Sequence, residues 1–169
     1  MGPKPAAAPH KASPASTLVK GLRRALEASL LPGDAPADKA VLGEAAQFLL
    51  AAAHTRRPGE TLVQIESATG DRRHLRIAII NDDMPFLVDS IAAAIAAQGL
   101  AIDRLLHPVI PVERDGEGAI TGLGKDGKRE SLIYIETPRV DARQRRDLLE
   151  ALQSTLADVH AAVSDWPAM

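Results

Sequence analysis

The stretch Ile77-Ala-Ile-Ile-Asn-Asp-Asp-Met-Pro-Phe-Leu-Val-Asp-Ser-Ile91 decides how this chain is read. Strand-like Ile77, Ile79 and Ile80 run into Asn81, Asp82 and Asp83, whose short polar side chains bond nearby backbone amides and favour turns and helix caps. Pro85 brings a φ suited to a first helical turn and lacks the amide hydrogen that would go unpaired there. Leu87, Ile91 and Ile95 then recur at every fourth residue, so they share one face of a helix. Gly99 ends that helix, and Leu100 to Ile102 opens a second extended segment. Strand, acidic turn, helix, glycine and strand form half of a split β-α-β unit.

Working outward, the N-terminal side reads as two short helices. Leu18, Leu22, Ala25, Leu26 and Leu30 fall at helical spacing, as do Val41, Leu42, Ala45, Phe48, Leu49 and Ala52. Pro32-Gly33-Asp34 separates the two, and Pro58-Gly59 stops the second. Thr61 to Glu66 reads as a strand, with Thr69-Gly-Asp71 turning into a strand from Arg73 to Ile80. On the C-terminal side, Ala101 to Glu113 is extended but holds Pro108 and Pro111, which cannot donate to a sheet ladder, so it is an edge, bulged or broken strand. A glycine-rich hairpin loop spans Asp115 to Lys128, and Ser131 to Glu136 is the next strand. Asp141 caps a last helix, with Gln144 three residues on and Leu148, Leu152, Leu156, Val159 and Val163 along one stripe. The order α-α-β-β-α-β-β-α predicts an α+β, ferredoxin-like sandwich: an antiparallel four-stranded sheet with helices on one face, preceded by two short N-terminal helices. Ile79, Ile80 and Leu132 to Ile135 are apolar on both faces, so the second face needs a cover. The N-terminal helices, a second copy or a further domain would supply it.

The 169 residues contain no cysteine and carry a formal charge of −2, which excludes disulfide and thiolate-metal frameworks and fits the cytoplasm. No net positive field attracts nucleic acid. Aromatics are 2% of the chain, and Tyr134 alone among aliphatic strand residues makes no base-stacking platform. No segment is long and apolar enough to span a membrane. Residues 1–16, rich in proline and alanine, read as a disordered arm that lacks a secretory leader's apolar core. Residues 17–57 read as a helical segment and 58–169 as the α+β domain.

Asn81-Asp-Asp-Met-Pro-Phe-Leu-Val-Asp-Ser90 resembles the N-terminal region of the large bacterial NAD-specific glutamate dehydrogenases. Gln98-Gly-Leu100, His107-Pro-Val109, Glu130-Ser131, Ala157-Asp-Val159 and Asp165-Trp-Pro-Ala-Met169 extend the similarity over roughly Ala40 to Met169. In that family the segment is an ACT-like domain ahead of a distant catalytic core. The resemblance implies a fragment, or a truncated relative, with a regulatory or architectural role. Its parent would use NAD to convert L-glutamate oxidatively to 2-oxoglutarate and ammonia. Its partners would be downstream domains, further copies in a homo-oligomer, and an amino-acid effector. A free-standing amino-acid-sensing module or an oligomerisation module is the alternative. No cofactor is expected on this fragment: no dinucleotide-binding glycine turn follows a strand, and Gly116, Gly118, Gly122, Gly124 and Gly127 lie in a hairpin loop instead. The fragment alone is therefore expected not to be catalytic.

The resemblance places the effector site at Asn81, Asp82, Asp83, Pro85 and Phe86, where the turn would meet an ammonium group and free helix amides a carboxylate. The competing reading is a helix cap with a solubilising turn. Phe86 stands where many amino-acid-binding ACT domains have glycine, and a phenyl ring there would fill ligand space, which favours the architectural role. A metal site at Asp82, Asp83 and Asp89 would need further oxygen ligands, and none is expected. His107 is the best-placed histidine for chemistry, yet the five histidines show no ligand spacing and no nucleophile elbow accompanies it. The paired arginines, Arg56-Arg57 among them, read as solvated surface.

Overall fold

A computed structural model describes residues 13–34, 37–70 and 73–165; residues 1–12 of the expected arm lie outside these. Helix α1 (Pro14–Ala28) starts on Ser13, whose side chain accepts from Ser16 N at 3.2 Å, with Pro14 in the first turn. The last residues assigned to the arm are thus helical. Helix α2 (Lys39–Ala53) is capped by Asp38, which accepts from Val41 N at 2.8 Å. Strands β1 (Leu62–Ala68) and β2 (His74–Asp82) precede α3 (Leu87–Ala97). Then come β3 (Arg104–Leu106), β4 (Val109–Arg114), β5 (Ile120–Gly122), β6 (Lys128–Pro138) and α4 (Ala142–Asp165). Asp141 caps α4 as its sequence indicates, accepting from Gln144 N at 2.8 Å. Gly99 closes α3 at φ +76, with its own amide bonded to Ala96 O and that of Leu100 to Ile95 O.

All strands pair antiparallel in the order β1-β2-β6-β4-β5, and β3 also pairs β6. β3 lies on Tyr134 to Glu136 and β4 on Lys128 to Ser131, so they form one line interrupted at His107-Pro108. Of the edge, bulge or break that the prolines left open, the break occurs at Pro108, while Pro111 lies within β4 opposite Arg129. β2 and that broken line both run opposite to β6, which lies between them, and α3 connects them. The split β-α-β unit is present. A β-α-β-β-α-β chain ends with a strand after its second helix; here the strand beside β2 is β1, supplied from before β2 and not from after α4.

The sheet departs from the expected one in two respects. It has six strands, because the line predicted as one strand is divided into β3 and β4 and part of the glycine-rich hairpin forms β5. Its helices also cover both faces. Strand side chains alternate, so Ala78, Ile80, Leu132 and Tyr134 meet Leu22 and Leu26 of α1 and Leu42, Phe48 and Leu49 of α2. Ile77, Ile79, Ile133 and Ile135 meet Leu87, Ile91 and Ile95 of α3 and Leu148, Leu152 and Leu156 of α4. Each large side chain so buried is worth about 1.5–3 kcal/mol before entropy is charged. The both-sided apolarity of β2 and β6 is thus satisfied within the chain by the N-terminal helix pair.

Candidate functional site

The β2-to-α3 corner has a different geometry from the one expected. Asn81 and Asp82 do not cap the helix; they continue the β2 ladder opposite Ser131 and Glu130. Asn81 is buried, accepts from Thr61 Oγ1 at 2.6 Å and donates to Asp82 O at 3.2 Å. Asp82 pairs with Arg56 at 3.0 Å and Lys128 at 3.8 Å, and exposed Asp83 with Arg129 at 3.8 Å. Pro85 lies ahead of the helix in a turn, and Phe86 is the N-cap, with φ 69, ψ 2 and no side-chain cap bond. Those angles match the third position of a type II turn with proline at the second, a place that favours glycine. The Phe86 ring is 53% exposed and so does not plug a cavity. Asp89 is exposed, and among the described residues no group of three or more His, Asp or Glu is placed to hold a metal.

Arg56, expected as solvated surface, is instead buried. Its guanidinium donates to Glu130 Oε1 and Asp82 Oδ1, each at 3.0 Å, and its Nε to Glu60 O at 2.6 Å. Glu130, also buried, accepts from Arg114 Nε at 2.9 Å and Nη2 at 3.1 Å. Arg114 Nη1 in turn reaches Ala53 O and Gly118 O. Gly118, at φ +88, lets the hairpin backbone lie against the Arg56 carbonyl, which a Cβ would strike. The network ties the end of α2 to β2, β4 and β6. Every member has partners, as a buried ionic group requires.

His107 sits at the β3–β4 break with Nε2 3.1 Å from Ser131 Oγ. Burial pulls its pKa below the ordinary imidazole value, opposed by the nearby Asp83 charge.

The opposite end of β2 holds a constellation that sequence alone did not reveal. Glu66, Arg76, Glu136 and Arg104 occupy one register row across β1, β2, β6 and β3. Charge alternates along it. Arg76 Nη2 meets Glu66 Oε1 at 3.1 Å, and its guanidinium carbon stands 4.5 Å from the Phe48 ring centre, a cation–π distance. Buried Glu136 accepts from Tyr134 Oη at 2.8 Å and pairs with Arg104 Nε at 3.4 Å and His74 Nε2 at 3.5 Å. Burial, then the Glu136 hydrogen bond, push the Tyr134 phenol well above its usual pKa and keep it a donor. A cavity of about 940 Å³ opens over this row, between the sheet and α2.

The sequence family described as Glutamate dehydrogenase, ACT1 domain, matches residues 25–152. The chain belongs to the ACT1 domain family of glutamate dehydrogenase. Among curated proteins it is similar to the NAD-specific glutamate dehydrogenase of Pseudomonas aeruginosa, 32% identical over 103 residues. That of Halomonas elongata is 34% identical over 103 residues. Each match covers 57% of this chain and 6% of the relative, so the chain spans a small part of the dehydrogenases it resembles. No solved structure matches the chain. Among the described residues no helix is long and apolar enough to cross a membrane.

Proposed function

We propose that this ACT1 domain is a non-catalytic, architectural part of an NAD-dependent glutamate dehydrogenase in the cytoplasm. The parent enzyme deaminates L-glutamate oxidatively to 2-oxoglutarate and ammonia while NAD is reduced. NAD belongs to the parent's catalytic core. The domain's partners are the parent's downstream domains and further copies in a homo-oligomer.

The observation that carries the architectural role is the state of the β2-to-α3 corner. Asn81, Asp82 and Asp83 are engaged by Thr61, Arg56, Lys128 and Arg129, and an exposed Phe86 takes the turn position that favours glycine. A corner already committed to internal pairs leaves little for an effector to bind, whereas an exposed aromatic beside it suits contact with another domain. The test is an assay of the 169-residue chain with L-glutamate and NAD, following NADH. No turnover is expected; NADH formed in proportion to added chain would overturn the proposal.

A further inference from the structure

A groove of about 470 Å³ runs between α1 and α2 and is lined by those two helices alone. Lys20 and Arg23 reach it from α1 and Lys39 from α2, so three cations share one small space. No carboxylate stands among its lining residues. None of the three cations enters an ion pair or a side-chain hydrogen bond among the described residues. Lys20 and Arg23, three residues apart on one helix, repel one another. Lys39 opens α2 at the end where the helix dipole disfavours a cation. Gly43 lies inside α2, where glycine is a poorer helix former than alanine. A Cβ there would meet nothing within 4 Å, so packing within the chain does not require the gap.

Each of these choices weakens the free helix pair, and together they leave an open groove of uncompensated positive charge. A bound anion answers all of them: it separates the cations, faces the positive end of α2 and fills the space kept clear at Gly43. The charge selects which anion. A monocarboxylate brings one negative charge to three cations, whereas a phosphoryl group carries about −1.5 to −2 near neutral pH and has three acceptor oxygens. Lysine meets phosphate as a point charge and the arginine fork meets two of its oxygens at once. Space of this size also holds the body of a small molecule. We propose that the α1–α2 groove binds a small phosphorylated molecule, its phosphoryl oxygens on Lys20, Arg23 and Lys39. The groove shares no residue with the β2-to-α3 corner and requires no catalysis, so the inference goes beyond the architectural reading and does not depend on it.

Calorimetric titration of the 169-residue chain tests this, with pyrophosphate, adenosine diphosphate and glycerol phosphate as probes and tricarballylate, a carboxylate trianion, as control. At least one phosphorylated probe should bind saturably and about tenfold or more tighter than the control, with an affinity that falls as salt is raised. Lys20→Gln and Lys39→Gln, both at exposed helix positions, should each weaken that binding by about tenfold, the worth of one hydrogen bond to a charged group. Gly43→Leu separates the groove from the fold: it should raise Tm, because leucine favours the helix, and yet abolish binding. Amide shifts on titration should centre on Lys20, Arg23 and Gly43. Absence of binding by all three phosphorylated probes, equal binding by tricarballylate, or tighter binding by a single-stranded oligonucleotide would each overturn the proposal. So would an unaffected Lys20→Gln variant, undiminished binding by Gly43→Leu, or shifts centred on the exposed arginines from Arg139 to Arg146.

Discussion

Replacing Phe86 by glycine and, separately, by alanine isolates the backbone of the β2-to-α3 corner from its side chain. Both changes delete the same half-exposed ring, so its contribution cancels when the two variants are compared. What remains is the conformation at φ 69, ψ 2. The left-handed region costs a non-glycine residue about 1–2 kcal/mol. Glycine adopts it freely but is disfavoured by about 0.5–1 kcal/mol through the entropy of its unfolded chain. The net expectation is that Phe86→Gly exceeds Phe86→Ala in stability by roughly 0.5–1 kcal/mol. At about 2–4 °C per kcal/mol for a domain of this size, its Tm should be higher by about 1–4 °C. Urea denaturation of both variants, with equal m-values, measures the difference. Alanine equal to or better than glycine would refute the reasoning, because Phe86 could not then occupy a positive φ, and the turn that launches α3 would have to be redrawn.

The Arg56–Glu130–Arg114 network makes a contrast with surface pairing. Glu130→Ala removes the buried carboxylate shared by buried Arg56 and part-buried Arg114 and should cost about 3–5 kcal/mol by denaturant titration, whereas Arg129→Ala, which removes only an exposed partner of Asp83, should cost less than about 1 kcal/mol; comparable losses would mean that the network is solvent-screened. Because His107 has a lowered pKa in the folded state, the unfolded chain binds the proton more readily. Stability should therefore be full above the unfolded value of 6.5 and fall as pH drops from there toward the folded pKa. His107→Gln should flatten that decline in melts taken across the same range, and an unchanged slope would contradict the assignment.

Much of this architecture is written in local pattern. The fourfold spacing of Leu87, Ile91 and Ile95 does face the core, Asp141 does cap α4, and Pro108 does interrupt its strand. In each case the cause lies within a few residues of the effect. The corner departs from its local pattern because its determinant is not local: pairing of Asp82 with Glu130 on β6 keeps Asn81 and Asp82 in the ladder, so the helix starts only after Phe86. Arg56 reads as solvated along the sequence because its partners Asp82 and Glu130 lie 26 and 74 residues away. The charged row under α2 could not be seen before β1, β2, β3 and β6 were in register, since Glu66, Arg76, Arg104 and Glu136 have nothing in common along the chain. Alternation in β2 and β6 revealed that two apolar faces needed cover, but periodicity carries no label for which helices provide it.

The claim on which the functional account rests is that this domain shapes the assembly of a dehydrogenase without taking part in its chemistry. The most direct measurement is sedimentation, with parallel glutamate-dependent NAD reduction, of the Pseudomonas aeruginosa NAD-specific glutamate dehydrogenase with and without the 103 residues matched here. The shortened enzyme should still reduce NAD with glutamate and should sediment with an altered subunit number. An unaltered assembly, or a folded NAD-binding core that no longer turns over, would contradict the account.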